Sequence, residues 1–338
     1  MEYIEVFQKI APDMIGVVEE RYQLLHHIAY AQPIGRRMLA QLAGLSERVV
    51  RSQVDVLRKN NLVEFTPLGI RLQKDGEAVL PVLSRCFSRM NRLKELEEQL
   101  AERLSLQQVV IVPGDSDKNE TAKRELGRQS ALLLSRYLHD GIIVAVSGGS
   151  TMAEVAEELP VQRANIAVVP ARGGIGEQVE YQSNVIASVI AGKTGGVYHM
   201  LHIPDGMSEE ALRLLVETDS RTLEIVELAN KAQVVMVGIG RADVMAEKRH
   251  ILPEQQKKLK DQHACGEALG YYCDIDGTIV HAISNVGIAL TELKAFPTVI
   301  AVSGGAEKAK AIIAVMRACK TGILITDEGA AQQMKNIL

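Results

Sequence analysis

The sequence predicts an α/β chain in two folded parts: a small, mainly helical N-terminal domain and a larger Rossmann-like domain built on a parallel sheet. Three observations carry this. At roughly 150 residues per domain, the 338 residues suffice for about two. The first 80 residues show helical periodicity and little glycine. Beyond residue 105, short β-branched runs alternate with helical stretches, the pattern of strands joined by crossover helices.

Bulk properties narrow the function classes. A net charge of -4 and a pI near 6.1 describe an acidic soluble protein, so a nucleic-acid partner requires a local basic patch. Cys86, Cys265, Cys273 and Cys319 form no C-x-x-C pair and no zinc spacing with histidine, which predicts reduced thiols in a cytoplasm and no structural metal. No segment reaches the roughly 18 apolar residues of a membrane span. The opening "MEYIEVFQKIAPDMIG" lacks the basic start and apolar core of a signal peptide. The expectation is a cytoplasmic protein with no membrane partner.

Within the N-terminal domain, assigned to residues 1–84, the stretch "PIGRRMLAQLAGLSERVVRSQVDVLRKNNLVEF" predicts two helices around a turn. Met38, Leu39, Leu42 and Leu45 fit one apolar helix face, and Gly44 accepts the left-handed turn that ends it. Ser46 then caps a second helix whose Val49, Val50, Val54 and Leu57 point toward the core. Glu47, Arg48, Arg51, Ser52 and Gln53 are left near its outer, N-terminal face, the part that a helix-turn-helix presents to base edges. The following "LVEFTPLGIRLQKDG" offers two β-like runs about Pro67-Leu68-Gly69, the hairpin wing of a winged helix. Between residues 33 and 74, Arg36, Arg37, Arg48, Arg51, Arg58, Lys59, Arg71 and Lys74 outnumber Glu47, Asp55 and Glu64 by five charges. That surplus matches what double-stranded DNA attracts. The candidate DNA contacts are Arg36, Arg37, Ser46, Glu47, Arg48, Arg51, Ser52, Arg58 and Lys59. Solvated arginines on a plain helical domain are the alternative.

Residues 85–105, "RCFSRMNRLKELEEQLAERLS", predict an amphipathic linker helix with Met90, Leu93, Leu96, Leu100 and Leu104 on one face. The seam spans about two heptads, so packing within the chain and pairing with a second copy are both open.

In the domain assigned to 106–338, the expected strands are "VVIV" (109–112), "IIVAV" (142–146), "IAVV" (166–169), "VVMVG" (234–238), "TVIAV" (298–302) and "GILIT" (322–326). Their continuous apolarity implies burial on both faces. Several lead into glycine or hydroxyl turns: "SGGST", "PARGGIGE", "GIG", "SGGAEK" and "TDEGAA". In such a sheet ligands lie outside the carboxyl ends of the strands, so these turns should converge on one site. Gly148, Gly149, Ser150 and Thr151 supply backbone N–H groups and two hydroxyls at a helix start, suited to phosphate oxygens. Arg172, leading into Gly173, Gly174, Ile175 and Gly176, can fork onto a phosphate, and Lys308 after the second "AVSGG" adds a point charge. There is no G-x-x-x-x-G-K-[ST], and no G-x-G-x-x-G in the first βα turn, so neither nucleotide hydrolysis nor dinucleotide binding is supported.

These motifs resemble the SorC and DeoR-type sugar-binding transcriptional repressors, most closely their glycolytic subgroup. The resemblance covers essentially the whole chain. "PIGRRMLAQLAGLSERVVRSQVDVLRKNNLV" carries it in the first domain, and "VAVSGGSTMAEVAE", "VVPARGGIGE", "GEALGYYCDIDG", "PTVIAVSGGAEKAKAI" and "LITDEGAA" carry it in the second. It implies an effector domain with a sugar-phosphate isomerase and deaminase-like fold. It further implies repression of the operon headed by glyceraldehyde-3-phosphate dehydrogenase, fructose 1,6-bisphosphate or a related sugar phosphate as inducer, and no cofactor. By motif, Gly149, Ser150, Thr151 and Lys308 would hold one phosphate; Arg172, Gln182, Lys248 and Arg249 would lie near the other; Glu267 would accept from sugar hydroxyls. Ser150-Thr151 stands where the family pattern has two threonines, which keeps both hydroxyls, and Lys248 stands in place of an arginine. Double-stranded operator DNA and a homodimer or homotetramer, nucleoid-associated in a bacterial cell, complete the expectation.

A sugar-phosphate isomerase or deaminase-like enzyme is the alternative function, with Glu177, Asp274 and Glu328 near candidate loops. An isomerase needs a carboxylate base within reach of a C–H beside a carbonyl, and nothing in the sequence fixes one. No histidine, including His199, His202, His263 and His281, sits in a nucleophile pattern. No catalytic residue is assigned.

Overall fold

The computed structural model describes residues 12–90, 93–173, 178–203 and 207–338. Gly174, Ile175, Gly176 and Glu177 lie outside the described residues. The chain divides into two compact units, Met1–Lys94 and Glu95–Leu338.

The first unit is built from α1 (Pro12–Ala31), α2 (Arg36–Ala43), α3 (Glu47–Lys59), strands β1 (Val63–Thr66) and β2 (Gly69–Leu72), and α4 (Lys74–Met90). Helix α2 stops where the sequence predicts. Gly44 takes φ 64° and ψ 24°, and its N–H reaches the Ala40 and Gln41 carbonyls. Ser46 Oγ accepts from the Val49 N–H at 3.3 Å and starts α3. Leu24, Leu25 and Ile28 of α1 close over Leu39, Ala40, Val50, Val54, Leu57, Val63 and Ile70 to form the core.

The inward face of α2 is not the expected one. Met38 and Leu42 are 54% and 44% exposed, whereas Leu39 and Ala40 are buried. Small alanines on the packed face let neighbouring helices approach closely, which the long apolar side chains would prevent. The wing is as expected: β1 and β2 pair antiparallel from Val63↔Leu72 to Thr66↔Gly69, with Pro67 and Leu68 as the turn. Ile34 joins them by exchanging backbone hydrogen bonds with Ile70 at 3.1 and 2.8 Å. Gly69 has φ 140°, and a Cβ there would meet the Ile34 backbone at 2.8 Å, so this crossing requires glycine.

The amphipathic stretch 85–105 is carried by the end of α4 and by α5 (Leu93–Leu104). Leu96, Leu100 and Leu104 are buried within the chain itself, so the seam serves packing. Glu97 on the same helix accepts from the Ile111 N–H at 2.7 Å, occupying a donor on the edge strand β3 (Gln108–Val112).

The second unit holds a seven-stranded parallel sheet in the order β3-β13-β12-β7-β4-β5-β6. Its members are β3, β4 (Ile143–Val146), β5 (Ala167–Pro170), β6 (Val197–Tyr198), β7 (Val234–Gly238), β12 (Thr298–Val302) and β13 (Ile323–Asp327). Val144, Val146, Val168, Val234, Met236, Ile300 and Ile325 fill one core with the covering helices. From β4 the chain winds outward through β5 to β6; from β7 it winds the other way through β12 to β13. The switch in direction therefore lies between β4 and β7, where a crevice opens beyond the carboxyl ends of the strands. A second sheet, antiparallel, has the order β11-β10-β9-β8. Its strands, β8 (Gly240–Arg241), β9 (Gly266–Ala268), β10 (Tyr271–Cys273) and β11 (Ile279–Ala282), stand beside that crevice. Cys265, Cys273 and Cys319 are free, and burial pushes their thiols up to about 11, 12 and 12, which keeps them protonated and unreactive.

Candidate functional site

A cavity of about 1170 Å³ opens at the switch point. Two strand ends are tied together beneath it: Ser147, after β4, accepts at its Oγ from the Gly238 N–H of β7 at 2.8 Å. The "SGGST" turn follows. Gly149 has φ 121°, and its N–H donates to the Tyr181 carbonyl at 2.8 Å. A Cβ on Gly148 would sit 2.8 Å from that same carbonyl, so the turn can pass under Tyr181 only without side chains. Helix α6 (Ser150–Glu158) begins at once, and its first backbone bond runs from the Ala153 N–H to the Gly149 carbonyl. The N–H groups of Ser150, Thr151 and Met152 thus have no acceptor within the helix, and these three residues, two of them hydroxyl-bearing, line the cavity.

Gly148, Gly149, Ser150, Thr151, Arg172, Gly173, Gln182, Lys248, Arg249, Glu267 and Lys308 all line this one cavity, although the sequence scatters them over 160 residues. Gly174, Ile175 and Gly176 lie outside the described residues. The wall carries five cationic side chains, Arg172, Arg241, Lys248, Arg249 and Lys308, against one carboxylate, Glu267, among the described lining residues. That imbalance favours an anion.

Individual side chains are held in distinct ways. Arg172 is 5% exposed, and its Nε donates to the Gly173 carbonyl at 2.8 Å, which fixes the plane of the guanidinium. Glu267, 3% exposed, pairs with Arg249 at 3.0 Å and accepts from the Gly270 N–H at 2.7 Å through the same oxygen, Oε1. It aims Arg249 as well as offering acceptor capacity. Burial pulls Lys308 below the ordinary lysine value; Asp117 and Asp327 oppose the shift, while Lys123 and Lys248 reinforce it. His281, which also lines the cavity, is likewise lowered, first by burial and then by Lys258, which favours the neutral imidazole.

The second "AVSGG" does not mirror the first. The Gly305 N–H donates to Asp327 Oδ2 at 2.7 Å, and the Glu307 N–H to Asp117 Oδ2 at 2.9 Å. Carboxylates of the chain itself therefore occupy this turn, and of its residues only Lys308 reaches the cavity wall. The "TDEGAA" turn, expected at the ligand, instead supplies Asp327 as that internal acceptor. Sequence reasoning also missed Arg241. It forks onto Asp243 through Nε at 3.2 Å and Nη2 at 2.7 Å, and reaches Glu307 with Nη1 at 2.6 Å. Arg241 is thus a brace joining the strand before Lys248 and Arg249 to the turn that carries Lys308. Its only signal in sequence was a basic residue after "GIG".

In the first unit, Arg48, Arg51 and Ser52 are exposed on α3, as are Ser46 and Glu47 at its start and Arg58 and Lys59 at its end. Arg37 is exposed and lies 3.8 Å from Glu47. Arg36 is half-buried, and its guanidinium lies over the Phe65 ring.

Two family models match this chain. Residues 17–87 match the "CggR N-terminal DNA binding domain" and residues 88–336 the "Putative sugar-binding domain". Over 334 residues the chain is 42% identical to the central glycolytic genes regulator of Priestia megaterium, covering 98% of this chain and 97% of that one. The chain belongs to the central glycolytic genes regulator family. It is 38% identical to the family member of Bacillus subtilis, with 98% of both chains covered. A solved structure described as a "putative SorC family transcriptional regulator from Enterococcus faecalis" superposes with a TM-score of 0.66 at 37% identity, covering 71% of this chain and 99% of that one. As a member of the glycolytic genes regulator family, the chain is a transcription regulator that joins a DNA-binding domain to a sugar-binding domain, and is not an enzyme.

Proposed function

We propose that this regulator is a repressor whose inducer is fructose 1,6-bisphosphate, bound in the cavity at the switch point, and whose target is the operon headed by glyceraldehyde-3-phosphate dehydrogenase. The observation that carries the ligand reading is the gathering of an open helix N-terminus and five cations around one cavity. One phosphate is assigned to the N–H groups and hydroxyls of Ser150 and Thr151 with Lys308. The other is assigned to Arg172, Gln182, Lys248 and Arg249, with Gly173 beside them. Glu267 and the neutral His281 are left for sugar hydroxyls. Two cationic groups on different loops favour a bisphosphate over a monophosphate. The relatives' names support a glycolytic target.

The DNA contacts are assigned to Arg36, Arg37, Ser46, Glu47, Arg48, Arg51, Ser52, Arg58 and Lys59, with the protein acting in the cytoplasm as a homodimer or homotetramer on paired half-sites. Ligand binding shifts the population toward a form with weaker DNA contacts, so each ligand reduces affinity for the other by one and the same factor.

A melting experiment tests the ligand. Fructose 1,6-bisphosphate at about 100 times its Kd should stabilise the sugar-binding domain by ~2.7 kcal/mol. A small shift with the bisphosphate and a large one with fructose 6-phosphate would overturn the assignment. Repeating the titration at rising pH examines Lys308. Because its folded value is lowered, the unfolded chain keeps the proton longer, and ligand-free stability gains as pH climbs through that window. Phosphate needs the charged form, so the bisphosphate-induced shift should shrink over the same window, below the ordinary lysine value. Lys308→Met should remove that pH dependence.

A further inference from the structure

The first unit contains a feature that neither base reading nor the fold requires. The guanidinium carbons of Arg36 and Arg58 lie 4.7 and 4.8 Å from the centroid of the same ring, Phe65 of the wing strand β1. The three residues come from α2, from the last turn of α3 and from the hairpin, so the ring of the wing gathers charge from both helices of the helix-turn-helix. The two cations can be no more than about 9.5 Å apart, within the Debye length of about 10 Å at 0.1 M salt, where they repel. Among the described residues, no carboxylate pairs with either. By contrast, neighbouring Arg37 lies near Glu47. A guanidinium stacked on an aromatic face keeps its N–H edges free, and those edges suit a phosphate fork.

We infer that Arg36, Phe65 and Arg58 form a clamp for the DNA backbone, with Phe65 as the positioning residue that holds both guanidiniums ready for phosphate oxygens. This rests on the DNA contacts assigned above, which include Arg36 and Arg58, and adds to them the phosphate backbone as their target and Phe65 as the residue that positions them. Its place on α3 fits. Ten residues at ~1.5 Å each put Arg58 about 15 Å along the helix from Arg48. The major groove is ~12 Å wide, so when the N-terminal half of α3 faces base edges, its C-terminal end stands at the phosphate rim. Bound phosphate relieves the repulsion that the ring imposes on the free protein, and the ordered side chains lose little entropy on binding.

Backbone contacts do not depend on sequence, so the full chain can be tested by anisotropy on a labelled mixed-sequence duplex of about 30 base pairs across a salt series. Arg36→Ala and Arg58→Ala should each weaken binding several-fold and each flatten the slope of log K against log salt by about 1. Phe65→Leu keeps both charges. It should weaken binding about threefold or more and flatten the slope, while Phe65→Tyr, which restores the ring face, should return both to wild type. A melting curve for each variant reports folding separately. Wild-type slopes in both arginine variants would overturn the clamp, as would a Phe65→Leu variant that melts earlier but binds with wild-type slope and affinity. Loss of binding in Arg48→Ala on the same duplex, beside unchanged Arg36→Ala and Arg58→Ala, would reject the clamp and leave the DNA-binding unit standing.

Discussion

Replacing Arg48 and Arg51 together by alanine should abolish specific operator binding and leave the sugar-binding unit untouched. Both side chains are exposed, they stand three residues apart on α3, and no carboxylate pairs with either among the described residues. Their removal should therefore change stability by no more than ~0.5 kcal/mol. A well-placed arginine on a base edge is worth about 1–3 kcal/mol of discrimination. Losing two should cost on the order of 2–6 kcal/mol, 30-fold or more in affinity. The bisphosphate-induced melting shift should survive intact. Gel-shift or anisotropy titration checks the first statement and calorimetric melting the second; loss of both together would mean that the two units do not divide the work as described.

The second large effect is on stability. Asp327 has no solvent exposure, and its carboxylate accepts from the N–H groups of Ser116 at 2.8 Å, Gly305 at 2.7 Å and Ala330 at 2.8 Å, and from the Ser116 hydroxyl. Asp327→Ala leaves these donors unmet; at about 1–3 kcal/mol for each of the two buried ones, on Gly305 and Ala330, a loss of roughly 2–6 kcal/mol is expected. In a domain of this size that lowers the melting midpoint by roughly 10 °C. Asp327→Asn should fall between, because its amide keeps one accepting oxygen but turns an NH₂ toward donors. Since the Gly305 turn leads directly into Lys308, ligand affinity should fall with stability in both variants. A wild-type melting midpoint in Asp327→Ala would refute the role given to this side chain.

The contrast between the two "AVSGG" turns shows where sequence stops being enough. The first opens a helix at Ser150, and among the described residues no side chain caps it. The second has the same five letters, but Asp115, Asp117 and Asp327, up to 191 residues away, take its donors. Only the fold brings those acids to it. The central strands were legible because burial on both faces leaves continuous apolar runs. Strand β6 was not, being a two-residue exposed edge, nor was the small sheet β8–β11, whose strands of two to four residues include Gly266, Glu267 and Cys273. In α2 the letters Met38 and Leu42 suggested a core face, yet close helix packing selected Ala40 beside Leu39. Arg241 was missed because its importance lies in two partners, one of them 66 residues away.

On the proposed function, one small phosphorylated sugar held at the β4–β7 switch point weakens the grip of the helix-turn-helix on DNA. The most direct test is an anisotropy titration of the full chain on duplex DNA from its own target promoter, with fructose 1,6-bisphosphate added at rising concentration. The bisphosphate should weaken binding at least tenfold, a coupling of about 1.4 kcal/mol, and Lys308→Met should remove this response while binding DNA normally without ligand. Unchanged DNA affinity at saturating bisphosphate, shown by a full melting shift in the same sample, would contradict the proposed function.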